Sequence, residues 1–300
     1  MRIRPAKALG LLVAVVVLMT ILAVDVLLLR GILRQPPGPG LFITALLLVC
    51  SLPLLLVWLY WCAQFLMLHY EMDRNALTIS CGTHRYLIPL PEIVRIVPGE
   101  GLEISQGFQG IGWPGYLKGH MRLKGLGRLT TLSTEPLHRQ LIVVTEGGCY
   151  GISPKEPREF LHAFAQRRAL GATVQLEQTL QRAPLIELPL WRDVGFWGTL
   201  LLAALLNGAL FGLIMSRYSA LPARLALRFD AQGQALRIAS RRWLLFVPTI
   251  GTLVWLSNTL FGGLVHRWER LAAHLFAVAS LGVQSLLWLA TLMILNHRPN

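Results

Sequence analysis

A chain of 300 residues with 54% hydrophobic and only 14% charged residues carries too little charge for an ordinary soluble protein, where roughly 25% is usual. The formal net charge of +13 would suggest nucleic acid in a soluble chain. Here the excess flanks apolar runs, in Arg2, Arg4 and Lys7 and in Arg217, Arg224, Arg228, Arg237, Arg241 and Arg242, so no nucleic acid is expected as a partner.

Ala8–Leu29 is the first apolar run, with Asp25 as its one charge. At 1.5 Å per residue it reaches about 33 Å, enough for a hydrocarbon core. A cleaved signal peptide is rejected. The apolar core is too long, no small-x-small site follows, and another apolar run comes at once. Pro36-Pro37-Gly38-Pro39-Gly40 separates it from Leu41–Trp61, so the two read as a helical hairpin. Trp58, Tyr60 and Trp61 close the second run as aromatic rings do at headgroup level, and Pro53 is tolerable inside it.

From His69 the texture turns polar. Leu77-Thr78-Ile79 and Tyr86-Leu87-Ile88 flank Cys81-Gly82-Thr83 as a hairpin signal. Ile93–Val97, Tyr116–Leu123, Leu129–Leu132 and Leu141–Thr145 read as further strands, and Glu146-Gly147-Gly148 as a tight turn. A helix follows, with Ser153 expected as its cap, Pro154 at its first position and Glu156 completing a capping box. Phe160, Leu161 and Phe164 give it an apolar stripe, and Gly171 stops it.

Gly112-Trp113-Pro114-Gly115-Tyr116, Gly119, Gly125-Leu126-Gly127, Ile142–Thr145, Ile152-Ser153-Pro154 and Pro157–Phe160 form an ordered series. On these residues the run from Tyr70 to about Arg168 resembles the bacterial pleckstrin-homology-like domains. The resemblance implies two packed antiparallel sheets capped by a helix, a bacterial setting, and a role in binding or assembly rather than catalysis.

Three more apolar runs follow: Val194–Met215, Leu244–Val265 and Leu271–Leu295. The short turn His266–Arg270 makes the last two antiparallel neighbours. Tyr218, Leu221-Pro222, Phe229-Asp230, Gln232-Gly233, Arg242 and Pro248 resemble a second bacterial membrane family, a domain of unknown function also found at the front of sporulation-delaying toxin immunity proteins. That family usually has a histidine where Arg228 stands. The expected organisation is an N-terminal hairpin over 1–68, a PH-like domain over 69–180 and a three-helix membrane module over 181–300. The fold class is therefore membrane α-helical, about five spans, with an inserted β-rich domain.

Positive charge near the spans gives nearly a tie for orientation. With the resemblance, the expectation is a multi-pass protein of the bacterial plasma membrane, N-terminus inside and PH-like domain cytoplasmic.

Candidate chemistry is sparse. Gly110-x-Gly112-x-x-Gly115 matches a dinucleotide fingerprint in letters only, because strand-like Tyr116–His120 follows where a helix is needed. No cofactor is expected. No C-x-x-C and no clustered histidines suggest a metal, and His274 reads as a lone histidine. A Cys81–Cys149 bridge stays open, with two reduced, half-buried thiols the favoured reading. Lys118, Arg122 and Lys124 share parity and, with Arg128, suggest a basic sheet face for a partner or for anionic headgroups. Asp25 and Asn207 are the intramembrane polar candidates, and Asn207 lies beside Gly208 and Gly212, a small-x-x-x-small pair. Asn207, Asn258, His274 and Gln284 are expected chiefly as helix-packing groups.

No catalytic triad, Walker or paired-carboxylate pattern is present. The leading expectation is a non-enzymatic, membrane-anchored interaction or regulatory protein, binding the bilayer and a protein partner or its own copies. The alternative is a small transporter or channel component.

Overall fold

The computed structural model describes residues 2–174, 176–182, 188–229 and 235–296. The chain divides into two compact units, Met1–Val24 with Ser51–Ile186, and Asp25–Cys50 with Glu187–Asn300. Helices α1 (Ala8–Arg34) and α2 (Pro39–Leu66) each contribute to both units. Both run beyond the apolar stretches read from sequence, because nothing in Arg30–Arg34 or Cys62–Leu66 breaks a helix.

The first unit holds two sheets. One has the order β1 (Arg2–Ile3), β2 (His69–Met72), β3 (Ala76–Cys81), β4 (His84–Pro89) and β11 (Thr179–Arg182). The other contains β5 (Ile93–Pro98), β6 (Ile104–Trp113), β7 (Tyr116–Leu123), β8 (Gly127–Ser133), β9 (Leu141–Thr145) and β10 (Gly148–Ile152), in the order β5-β9-β10-β8-β7-β6. The expected β3–β4 hairpin is present, with Ile79 opposite Tyr86 and Gly82 at φ 55° in its turn. The second sheet is not wholly antiparallel. After β8 the chain crosses over, and β10 returns between β9 and β8, parallel to β8.

Ile79, Ile88, Ile93, Leu132, Val143 and Ile152 from both sheets share one core with Phe160 and Phe164 of α3 (Pro157–Leu170). Ile3, Phe65 and Leu68 join the same core from the N-terminal segment and the end of α2. Tyr70 links the sheets: its hydroxyl donates to the Leu132 carbonyl at 2.7 Å and accepts from the Ser153 amide at 3.2 Å. Burial pushes this phenol up to about 12. The expected capping box of α3 does not form. The helix starts at Pro157, Glu156 makes no side-chain cap, and Ser153 Oγ instead accepts from the Thr134 amide at 2.8 Å. Pro154 is held in an isolated bridge to Pro5, which keeps this stretch extended. Gly171, at φ 71°, ends the helix as expected.

In the second unit α4 (Val194–Arg217), α5 (Phe246–Val265) and α6 (Arg270–Asn296) pack against one another. Phe196, Leu200, Ala203, Asn207, Leu210 and Ile214 recur every three or four residues as the buried stripe of α4. Ala273, Ala277, Ser280 and Gln284 do the same on α6. The small Ala273, Ala277 and Ser280 let backbones approach. Between α4 and α5 the structure places a hairpin, β12 (Arg224–Phe229) with β13 (Ala235–Ser240). Asp230, Gln232 and Gly233 of the second resemblance lie outside the described residues. Among the described residues, five helices are long and apolar enough to cross a membrane.

Candidate functional site

The β6–β7 turn explains the glycine-rich motif. Pro114 and Gly115 form a two-residue hairpin turn, and Trp113 and Tyr116 leave it side by side, ring centroids 4.5 Å apart. Trp113 stacks near Trp58 at 5.2 Å and donates its indole N–H to the Gly10 carbonyl at 3.2 Å. Phe65 lies edge-on to Tyr116 at 5.4 Å. Gly115 has φ 88°, and a Cβ there would strike the Gly10 backbone. The motif is thus a docking knob for α1 and α2, and no helix follows it to face a pyrophosphate.

Beyond that knob the sheets part around a cleft of about 630 Å³. One wall is β4 and β11, with His84, Tyr86, Thr179 and Leu180. The other is β6, β7, β8 and β10, with Ile111, Lys118, His120, Arg128, Thr130 and Tyr150. Alternation on β7 builds it. Tyr116, Lys118, His120 and Arg122 share one face, which runs from buried Tyr116 at 1% exposure to exposed Arg122. The β7–β8 register then sets Lys118 beside Leu132, His120 beside Thr130 and Arg122 directly opposite Arg128.

Lys118 Nζ donates to Gln64 Oε1 at 3.1 Å and lies 3.3 Å from His84 Nδ1. Burial holds this amine below its ordinary value, with Cys81 opposing to a smaller degree. His120 Nδ1 is 3.2 Å from Thr130 Oγ1, and burial, then Arg128, lower its basicity. Tyr86 and Tyr150 meet edge-on across the cleft at 5.8 Å. Gln178, leading into β11, donates to the Tyr150 hydroxyl at 2.6 Å and tacks the two walls together. No aspartate or glutamate lines the cleft among the described residues.

The four basic candidates therefore divide. Lys118 and Arg128 line the cleft, and Arg122 stands exposed beside Arg128. Lys124 does not share their face. It lies past the end of β7 and pairs with Glu103 at 2.6 Å, both largely exposed. Sequence parity missed this because it assumed that the strand continued. It also missed Tyr150, Gln178 and β11, which only the tertiary fold brings to the cleft. His120 was detectable, since it falls between Lys118 and Arg122 on one face.

The intramembrane candidates lie in the second unit. Asn207 donates to Gln284 Oε1 at 2.9 Å and to the Pro248 carbonyl at 3.0 Å, and accepts from Thr252 at 2.9 Å. Gln284 donates on to the Gly251 carbonyl. Gly212 packs on Phe42, while a Cβ at Gly208 would meet open space. Asp25 is partly exposed and about two and a half turns from the end of α1.

His274 is not alone. Asp193, with a side chain 3% exposed, caps α4 by accepting from the Phe196 amide. It also accepts from Arg270 Nε at 2.7 Å and His266 Nε2 at 2.9 Å, and His274 Nε2 lies 3.5 Å away. Arg270 foremost, then His266, hold this carboxyl below the usual range against the opposing effect of burial. No group of three or more His, Cys, Asp or Glu suited to a metal occurs among the described residues. Cys81 and Cys149 are free thiols in separate clusters, near Tyr116 and the Leu126 carbonyl respectively.

Two sheets around one core, closed by a helix and split by a polar cleft, define a helix-capped β-sandwich. In agreement, residues 68–168 match the family model described as a bacterial PH domain. The match covers β2 to α3 and leaves out β1, α1, α2 and β11. No curated protein and no solved structure matches the chain.

Proposed function

We propose that this chain is a membrane-anchored, non-enzymatic interaction protein whose PH-like domain holds a protein partner, or a second copy of itself, at the membrane surface. The observation that carries this reading is β6. It is ten residues long, ends its sheet, is exposed along nearly all its length, and presents Ile104 and Phe108. An unpaired edge is a template for an added strand. The five apolar helices supply the anchor, and the multi-pass orientation with the N-terminus and PH-like domain on the cytoplasmic side of a bacterial plasma membrane belongs to the same proposal.

Purification of the full chain in mild detergent, with a photo-cross-linker at Phe108, tests it. A stoichiometric companion or a defined oligomer is expected, and Gly107→Pro should abolish it. Gly107 falls between the paired positions Gln106 and Gln109, so the β7 pairing survives that change. A monomer without companion or cross-link would sink the reading.

The transporter alternative has one observation in its favour, a cavity of about 580 Å³ lined mainly by apolar side chains of α1, α2, α4 and α5 beside Asn207 and Thr252. Those two polar groups already bond each other and their neighbours, leaving little for a solute. Solute flux in proteoliposomes would reinstate it.

A further inference from the structure

We propose that the apolar groove of the second unit is a binding site for one hydrocarbon tail of a membrane phospholipid. This goes beyond the partner-binding reading and does not require it. Four observations carry it. First, the groove has the depth of a single leaflet. Its lining begins at Ile32, Leu41 and Met215, each two residues from a helix end, and reaches inward to Trp255. From Met215 to Ala204 it follows about 16 Å of α4, about half of a hydrocarbon core of roughly 30 Å. Secondly, its polar lining is already bonded. Asn207 and Thr252 bond each other and the Pro248 carbonyl, and Thr249 bonds the Leu245 carbonyl. Thirdly, Leu46, Val49 and Leu253 line the groove and are also exposed, so it opens sideways onto the apolar surface of the long helices. Fourthly, α4 touches the hairpin at Gly212 and stands away from it one turn earlier. A Cβ at Gly212 would meet Phe42 at 3.2 Å, whereas at Gly208 it would meet open space.

The groove holds about 580 Å³, within the range of small-ligand pockets, roughly 300–1,000 Å³, and far above the voids left by ordinary packing. Without an occupant its walls would forgo dispersion contacts on one side. The occupant cannot be a polar solute, which would need partners that the bonded Asn207, Thr249 and Thr252 do not offer. Nor does a spanning helix of another chain fit, because it needs the whole thickness of the core and the groove follows half of it. An alkyl tail is slender, asks for no hydrogen bond and enters by the side opening directly from the bilayer. Trp255 gives it a fixed inner stop, since the indole N–H donates to the Leu200 carbonyl at 2.9 Å and locks the ring.

The test uses the full chain in phosphatidylcholine nanodiscs doped with a phosphatidylcholine that carries a diazirine midway along one acyl chain. After irradiation the adducts are mapped by mass spectrometry. Adducts within 41–49, 204–215 and 249–255 should saturate as the doped fraction rises. Adducts at exposed Leu286, outside the groove, should grow in proportion to it. Gly208→Phe places a ring in the open space and should cut the groove adducts about tenfold or more, since a misfit of one methylene in an apolar pocket already shifts binding by that much. Labelling at Leu286 should not change. Near-ultraviolet circular dichroism checks the fold, and Gly208→Leu is the smaller plug with the same readout should Gly208→Phe misfold. Groove adducts that are missing, that never saturate, or that survive the plug would overturn the proposal. So would a photo-cross-linker at Leu46 that captures protein in place of lipid, because the groove would then belong to a second chain or another partner.

Discussion

Lys118 and Gly115 are three positions apart and do opposite things to stability. Gly115 sits at φ 88° against Gly10, so Gly115→Ala meets both backbone strain and a clash. We expect a loss on the order of 2 kcal/mol or more, read from detergent unfolding midpoints. Lys118 costs stability, because burial disfavours its charge. Its folded basicity is below its unfolded value, so the unfolded chain holds more protons as pH approaches the ordinary lysine range. The Lys118 contribution to stability should therefore rise over that interval, against the buried thiols Cys81 and Cys149, whose raised values act the other way, so the difference between the parent protein and Lys118→Gln should narrow as pH rises. Unfolding midpoints between pH 8 and pH 10, roughly the upper end of lysine titration, check this.

At the scale of elements, the three-helix group is held by two polar fastenings that differ in strength. The Asp193 carboxylate is 3% exposed, and its partner Arg270 is 70% exposed. Asp193→Asn takes the counter-charge away from both His266 and the arginine, whereas Arg270→Gln leaves the His266–carboxylate bond in place. The first should lower the midpoint more than the second, and the double variant should be no worse than Asp193→Asn alone. The Asn207–Gln284 link ties α4 to α6 among apolar side chains. Asn207→Ala should cost about 1 kcal/mol, since such bonds average roughly 0.6 and reach about 1.7 kcal/mol. Much at this scale was legible in sequence. Length and hydropathy alone located the five long apolar helices among the described residues, and Pro36–Gly40 their first break. Helix capping was less legible, because Ser153 had a rival acceptor role 19 residues away that no local rule reveals. The Asp193 cluster was hidden for a similar reason: its members lie over 70 positions apart and meet only once three helices pack.

Taken whole, the chain joins apolar helices to a sandwich that shares its core with them. It should pellet with membranes and leave them only with detergent, which fractionation checks directly. The order of the sheets and the parallel β8–β10 pair were not legible, since strand neighbours depend on crossovers that leave no trace in alternation. Nor was the cleft, whose far wall arrives with β11 after the helix that ends the family match. Sharing Ile3, Phe65 and Leu68 with the sandwich has a practical outcome. Expression of 68–168 alone would strip away two core side chains, Ile3 and Phe65, bare the outer margins of β2 and β4, and yield inclusion bodies. The smallest piece able to stand in water must bring its own replacement for Ile3 and Phe65.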